Sequence, residues 1–93
     1  MTEPVEPKPE FRSLTKDAVL TALRDPDPAN PIAVEVARLI DGYISNFDAP
    51  VRRLGRIPPD ILHIMPRWPI EAVAMDLTLE AIRETFAQAT PPH

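Results

Sequence analysis

Thirteen prolines against two glycines set the terms on which this 93-residue chain can fold. Each proline withholds a backbone N–H and fixes φ, so a central β-strand is hard to place. A helix, in contrast, accepts proline in its first turn, and a stiff connection accepts it readily. Glycine at positions 42 and 55 alone leaves few tight hairpins. The sequence therefore predicts an all-α fold: a small bundle of two long helices plus one or two short helices, with a Pro-rich crossover and an extended N-terminal arm. A chain of this length buries only about 60–65% of the surface it exposes when unfolded, so a stabilising partner is expected to matter.

Residues 1–12 set Pro4, Pro7 and Pro9 among Glu3, Glu6 and Glu10, a composition that favours an extended, solvated arm. Pro4 and Pro7 have the PxxP spacing, and Phe11 is placed to pin the end of the arm to a core. Residues 13–25 predict a first helix, with Ser13 or Thr15 as the capping hydroxyl and Pro26 as the stop. The run Asp25-Pro26-Asp27-Pro28-Ala29 is a rigid connection, because residues before proline are pushed out of the helical region. Asn30-Pro31 then starts a second helix, a capping side chain followed by a residue whose missing N–H costs nothing there. On a helical wheel Ile32, Val36, Leu39, Ile40, Tyr43, Ile44 and Phe47 share one face. Glu35, Arg38, Asp41, Ser45 and Asn46 lie opposite, with Gly42 on the polar side, where it permits close approach by another part of the backbone.

Between Asp48 and Pro69 five prolines interrupt a stretch rich in apolar residues, so one long helix is not expected there. Pro59 suits the first turn of a short helix to about Met65, and Pro66 and Pro69 make Arg67-Trp68 an extended step. Pro69 opens a last helix that runs to about Ala89 before Thr90-Pro91-Pro92. Two apolar stripes mark it, Ile70/Ala74/Leu77/Ala81 and Met75/Leu79/Ile82/Phe86, together about 200° of the wheel and wider than one supporting surface requires. The expected organisation is an arm at 1–12, one helical domain at 13–90 and a tail at 91–93.

The absence of cysteine excludes disulfides, thiolate metal sites and a cysteine nucleophile. No apolar run is long enough to span a bilayer, and the acidic, Pro-rich start is unlike a signal peptide, so a cytoplasmic chain with no membrane partner is expected. His63 and His93, far apart and without neighbouring ligands, argue against zinc, and two glycines cannot form a phosphate-cradling loop. No serine sits in a glycine-flanked elbow. The chain is thus expected not to be an enzyme, with no catalytic residue, cofactor, metal or small-molecule substrate.

Charge is unevenly spread. Arg52, Arg53, Arg56 and Arg67 against Asp60 give residues 51–70 a net +3 inside a chain of net −4. Guanidinium forks match carboxylates and phosphates, so three readings stay open. These arginines pair with Asp76, Glu80 and Glu84 of this chain or are simply solvated, meet an acidic protein partner, or bind phosphate or nucleic acid. Trp68 beside Arg67 and between two prolines is suited either to capping a small core or to a binding hot spot. The expected function is a non-enzymatic protein–protein interaction module, an accessory subunit, adaptor or inhibitor that meets a partner protein or a second copy. Its contacts would be Met75, Leu79, Ile82 and Phe86 on the last helix and Arg52, Arg53, Arg56, Arg67 and Trp68 in the crossover. The alternative is a small regulatory protein that binds nucleic acid or another phosphate-bearing ligand through the Arg52–Arg67 segment. Global acidity weighs against it, because phosphate binding draws on a positive surface.

Overall fold

The hydroxyl and amide caps read from the sequence start their helices as expected in the computed structural model, which describes residues 5–25, 27 and 29–89, with side chains through residue 86. Thr15 Oγ1 accepts the Ala18 N–H at 3.1 Å and opens α1, Lys16–Leu23. Asn30 Oδ1 accepts the Ile32 N–H at 3.0 Å and opens α2, Pro31–Leu54. The other end of the same amide donates to the Ala22 carbonyl at 2.9 Å, so one side chain starts α2 and ties it to the last turn of α1. A single turn, α3, follows at Pro59–Leu62, and α4 runs Pro69–Ala89. The architecture is the expected small all-α bundle, with α2 and α4 packed against each other and α1 against both. The stops at Pro26 and Thr90–Pro92, the connecting Pro28, Pro4 of the PxxP spacing and the tail with His93 lie outside the described residues.

Two local expectations are corrected. Pro50 does not interrupt the second helix, which passes through it to Leu54. A proline inside a helix costs about 3 kcal/mol in a neutral setting, but here Phe47 and Val51 on either side are buried. Their tertiary packing outweighs the local preference. The helix ends instead at Gly55, whose φ of +69° is the left-handed conformation a helix terminus requires and whose N–H returns to the Val51 carbonyl at 2.9 Å. The short helix stops at Leu62 and does not reach Met65. Pro66 biases Met65 toward extended backbone, and Ile64 and Met65 are exposed, so no burial rewards another turn.

Val19, Leu39, Ile70 and Ala74 form the driest part of the core, where α1, α2 and the first half of α4 meet. Packing climbs α2 and α4 in the same direction. Tyr43 bonds to Glu71 near the start of α4, and further along both helices Val51 and Phe86 line one groove. The crossover therefore travels back along α2, and Ile64 to Arg67 lie beside Tyr43.

The arm is extended and docked, with Pro7 buried while Glu6, Lys8, Pro9 and Glu10 stay exposed to solvent. Residues 5–12 lie along the face of α2 expected to be polar, ending in a 3-10 turn at Pro9–Phe11. Glu35, only 3% exposed, is the anchor. Its Oε2 accepts the Lys8 N–H at 2.7 Å, and the Arg38 guanidinium grips both oxygens at 2.8 Å while donating to the Glu6 carbonyl at 2.7 Å. Pro7 is buried, and Phe11 rests against the core as expected. Gly42 lets Val5 in: a Cβ there would stand 2.8 Å from a Val5 methyl.

Two outcomes follow for the arm. Gly42→Ala raises intrinsic helix propensity by up to about 1 kcal/mol yet pushes Val5 away. Amide exchange at Lys8 should therefore accelerate while that of α2 does not. The Arg38 fork, aided by the Lys8 N–H and opposed by burial, holds the Glu35 carboxyl below its ordinary value of 4.5. A depressed carboxyl pKa contributes stability that is complete above about pH 4.5 and is lost as pH falls through the folded value. Lys8 protection should fade on acidification below about pH 4.5 in the native chain. Glu35→Gln should remove that pH dependence and cost about 1–2 kcal/mol at neutral pH, read by denaturant melts.

Candidate functional site

Burial along α4 stops halfway. Ile70, Glu71, Val73, Ala74, Met75 and Thr78 are buried, and from Leu79 to Phe86 no side chain is. The cause is the length of α1. Its eight residues rise about 12 Å, whereas the 24 of α2 and 21 of α4 rise about 36 and 32 Å. α1 therefore covers only part of the α2/α4 seam. Where it is missing, a groove of about 390 Å³ opens between Ile44, Phe47 and Val51 of α2 and Ala81, Ile82 and Phe86 of α4. Thr85 and the Asp48–Arg52 ion pair, at 2.8 Å, stand at its edges.

The structure divides the side chains expected to form the contact surface. Ile82 and Phe86 line the groove, and Leu79 is partly covered against the core. Met75 is buried, so it serves the core and is withdrawn from the contact set. Leu77, assigned by the wheel to the other stripe, is exposed. The groove's α2 wall was not singled out from the sequence, because Ile44, Phe47 and Val51 read as ordinary core positions. The two apolar stripes of the last helix signalled that something would remain uncovered, and the shortness of the first helix decides where.

A second surface forms where the crossover returns. Arg67 is tied down through its backbone N–H, which donates to Glu71 Oε1 at 3.0 Å. Glu71 sits in the first turn of α4, buried, with its other oxygen facing the Tyr43 hydroxyl at 3.4 Å. This position is where a helix's third residue reaches back to the entering chain, so the carboxylate both caps α4 and fixes the crossover. Trp68, half-buried against the core, has the Arg12 guanidinium 4.6 Å and the Arg67 guanidinium 5.0 Å from its ring. The indole thus partly covers the core, as the capping reading expects, and keeps part of its surface exposed. The arm contributes to the surface, which the sequence did not indicate.

The arginines do not pair with the acidic stripe of α4. Arg52 bonds to Asp48 one turn earlier, and among the described residues no ion pair reaches Asp76, Glu80 or Glu84. The Arg53 and Arg56 side chains are exposed, with no ion pair or hydrogen bond to any described residue. Ile64 and Met65 edge a further hollow of about 290 Å³ whose other walls include Val5, Tyr43 and Met75. Among the described residues no group of three His, Asp or Glu side chains is placed to hold a metal ion, and no helix is long and apolar enough to cross a membrane.

Burial, reinforced by the neighbouring Glu71 carboxylate, raises the Tyr43 pKa well above its ordinary 10. Tyr43 is the chain's one tyrosine, so its ionisation can be followed directly by ultraviolet absorbance. A phenol raised in this way favours the folded state below pH 10, and the advantage is lost as pH rises through the folded value. Tyrosinate absorbance should appear only well above pH 10, and Glu71→Gln should bring its midpoint down.

No protein-family model, no curated protein and no solved structure matches the chain.

Proposed function

We propose that this chain is a non-enzymatic protein–protein interaction module, an accessory subunit or adaptor that receives an amphipathic helix of a partner protein in the α2/α4 groove. The observation that carries this reading is the end of burial at Thr78 while apolar residues continue through Leu79, Ile82 and Phe86. A third helix packed on a helix pair buries an apolar stripe along its full length. Here the chain's own third helix stops short, and the groove continues the seam that α1 begins to fill. A partner helix presenting apolar residues at i, i+3/i+4 and i+7 fits that geometry, the helix-in-groove mode of recognition. Such a helix would also supply the core that so short a chain lacks.

Ala81 is the residue on which to test this, because it is exposed and lines the groove. Ala81→Arg places a charge where an apolar side chain would dock and leaves the core untouched. Amphipathic helices selected from a displayed library against the native chain should bind Ala81→Arg about tenfold or more weakly, with its melting temperature unchanged. Selected helices that bind both forms equally would overturn the groove as the receptor. Light scattering across a concentration series tests the second-copy occupant: a native dimer that Ala81→Arg returns to monomer would replace the partner helix with self-association.

A further inference from the structure

We propose that the crossover is a second docking surface, one that takes an acidic amphipathic segment of a partner protein. The inference rests on the reading of the chain as an interaction module, but on different residues. Leu54, Leu62, Ile64 and Met65 are exposed within the one stretch 54–65, and Met65 is 85% exposed, the most of any large apolar side chain among the described residues. Local burial does not explain them. Arg53 and Arg56, beside Leu54, have no acidic partner among the described residues. Arg67, two residues beyond Met65, holds its guanidinium over Trp68, and Arg12 of the arm is placed over the same ring. Stacking on the ring leaves the Arg67 guanidinium N–H groups for carboxylates at low entropic cost, whereas Arg12 already meets Glu6 at 3.6 Å and the Pro7 carbonyl at 3.1 Å.

Charge selects the occupant. The segment 51–70 carries +3 in a chain of −4, so an acidic segment is drawn to the crossover and repelled from the rest of the surface. The exposed apolar side chains require that the segment also present apolar residues. An anionic bilayer is a poorer fit, because a broad negative plane also meets the acidic remainder of the chain. Single-stranded nucleic acid needs open aromatic faces on which bases stack, and the one indole here is half-buried and already carries two guanidiniums.

Trp68 is the chain's single tryptophan and reports on the surface directly. The native chain is titrated with a synthetic peptide that alternates glutamate with leucine, while Trp68 emission is followed. The peptide should shift the emission, and raised salt should weaken it. The double variant Arg53→Gln/Arg56→Gln and the single variant Met65→Ser should each lower affinity about tenfold with unchanged melting. Equal binding of the same peptide with glutamine for glutamate overturns the proposal, as does the absence of peptide binding. Response to oligo-dT or to phosphatidylserine vesicles but not to the peptide reassigns the surface to those ligands and overturns it too. Ala81→Arg should leave the titration unchanged. If it abolishes peptide binding instead, the peptide occupies the groove, which sinks the crossover inference while leaving the helix receptor standing.

Discussion

Because packing climbs α2 and α4 in the same direction, the chain must travel back between them, and much of the remaining architecture answers that requirement. From Leu54 to the level of Tyr43 is eleven helical residues, about 17 Å of rise. A tight helix hairpin cannot make such a return. The crossover makes it with one helical turn, a buried Ile61 and irregular stretches on either side, and the Arg67-Trp68 step expected to be extended is a bend into α4. Glu71 then secures the end of the return by accepting the Arg67 N–H. A buried carboxylate is costly unless its lone pairs are met. Here the cost is offset by a backbone donor of the crossover itself and by a phenol of α2, the helix the crossover has to meet.

Glu35 repeats the device about two turns earlier on α2. Its partners are Lys8 and Arg38, and Arg38 in turn holds the Glu6 carbonyl. Two buried glutamates thus fasten two irregular, proline-bearing segments to the same helix. Among the described residues every buried side-chain polar atom has a hydrogen-bond partner. Irregular segments lack a regular ladder of internal hydrogen bonds, so charge-assisted contacts of this kind are a physical means of holding them in place. The arm and the crossover also meet each other through Arg12 and Trp68.

What could be read from the sequence was what is decided locally. Thr15, Asn30-Pro31 and Pro69 signal helix starts through interactions spanning two or three residues, and the amphipathic wheel of α2 identifies Val36, Leu39, Tyr43 and Phe47, which are buried. What was not legible depends on distant partners. Glu35 lies on the polar side of its wheel and is buried only because Lys8, 27 positions earlier, folds back on it. Pro50 carries a local penalty that the flanking Phe47 and Val51 outweigh, a balance that no window of sequence contains. The candidate surface divided the same way. Ile82 and Phe86 stood out as a stripe, but Met75 of that stripe is core, because the boundary between covered and uncovered α4 is set by where α1 ends.

The docking of the arm also has a consequence in time. Its residues are made before α2, which carries the Glu35, Arg38 and Gly42 they dock against, and Arg12 waits for Trp68, at the end of the crossover. Contacts so distant along the chain close late, because the loop between them must first be ordered. On the ribosome α1 and α2 can form, and Glu35 can meet Lys8 and Arg38, while the crossover is still being made and the Arg12–Trp68 contact has no partner. The arm then settles in two steps, its Glu35 anchor before its Arg12–Trp68 contact, and for that interval the nascent chain presents a face of α2 that α4 conceals in the finished fold.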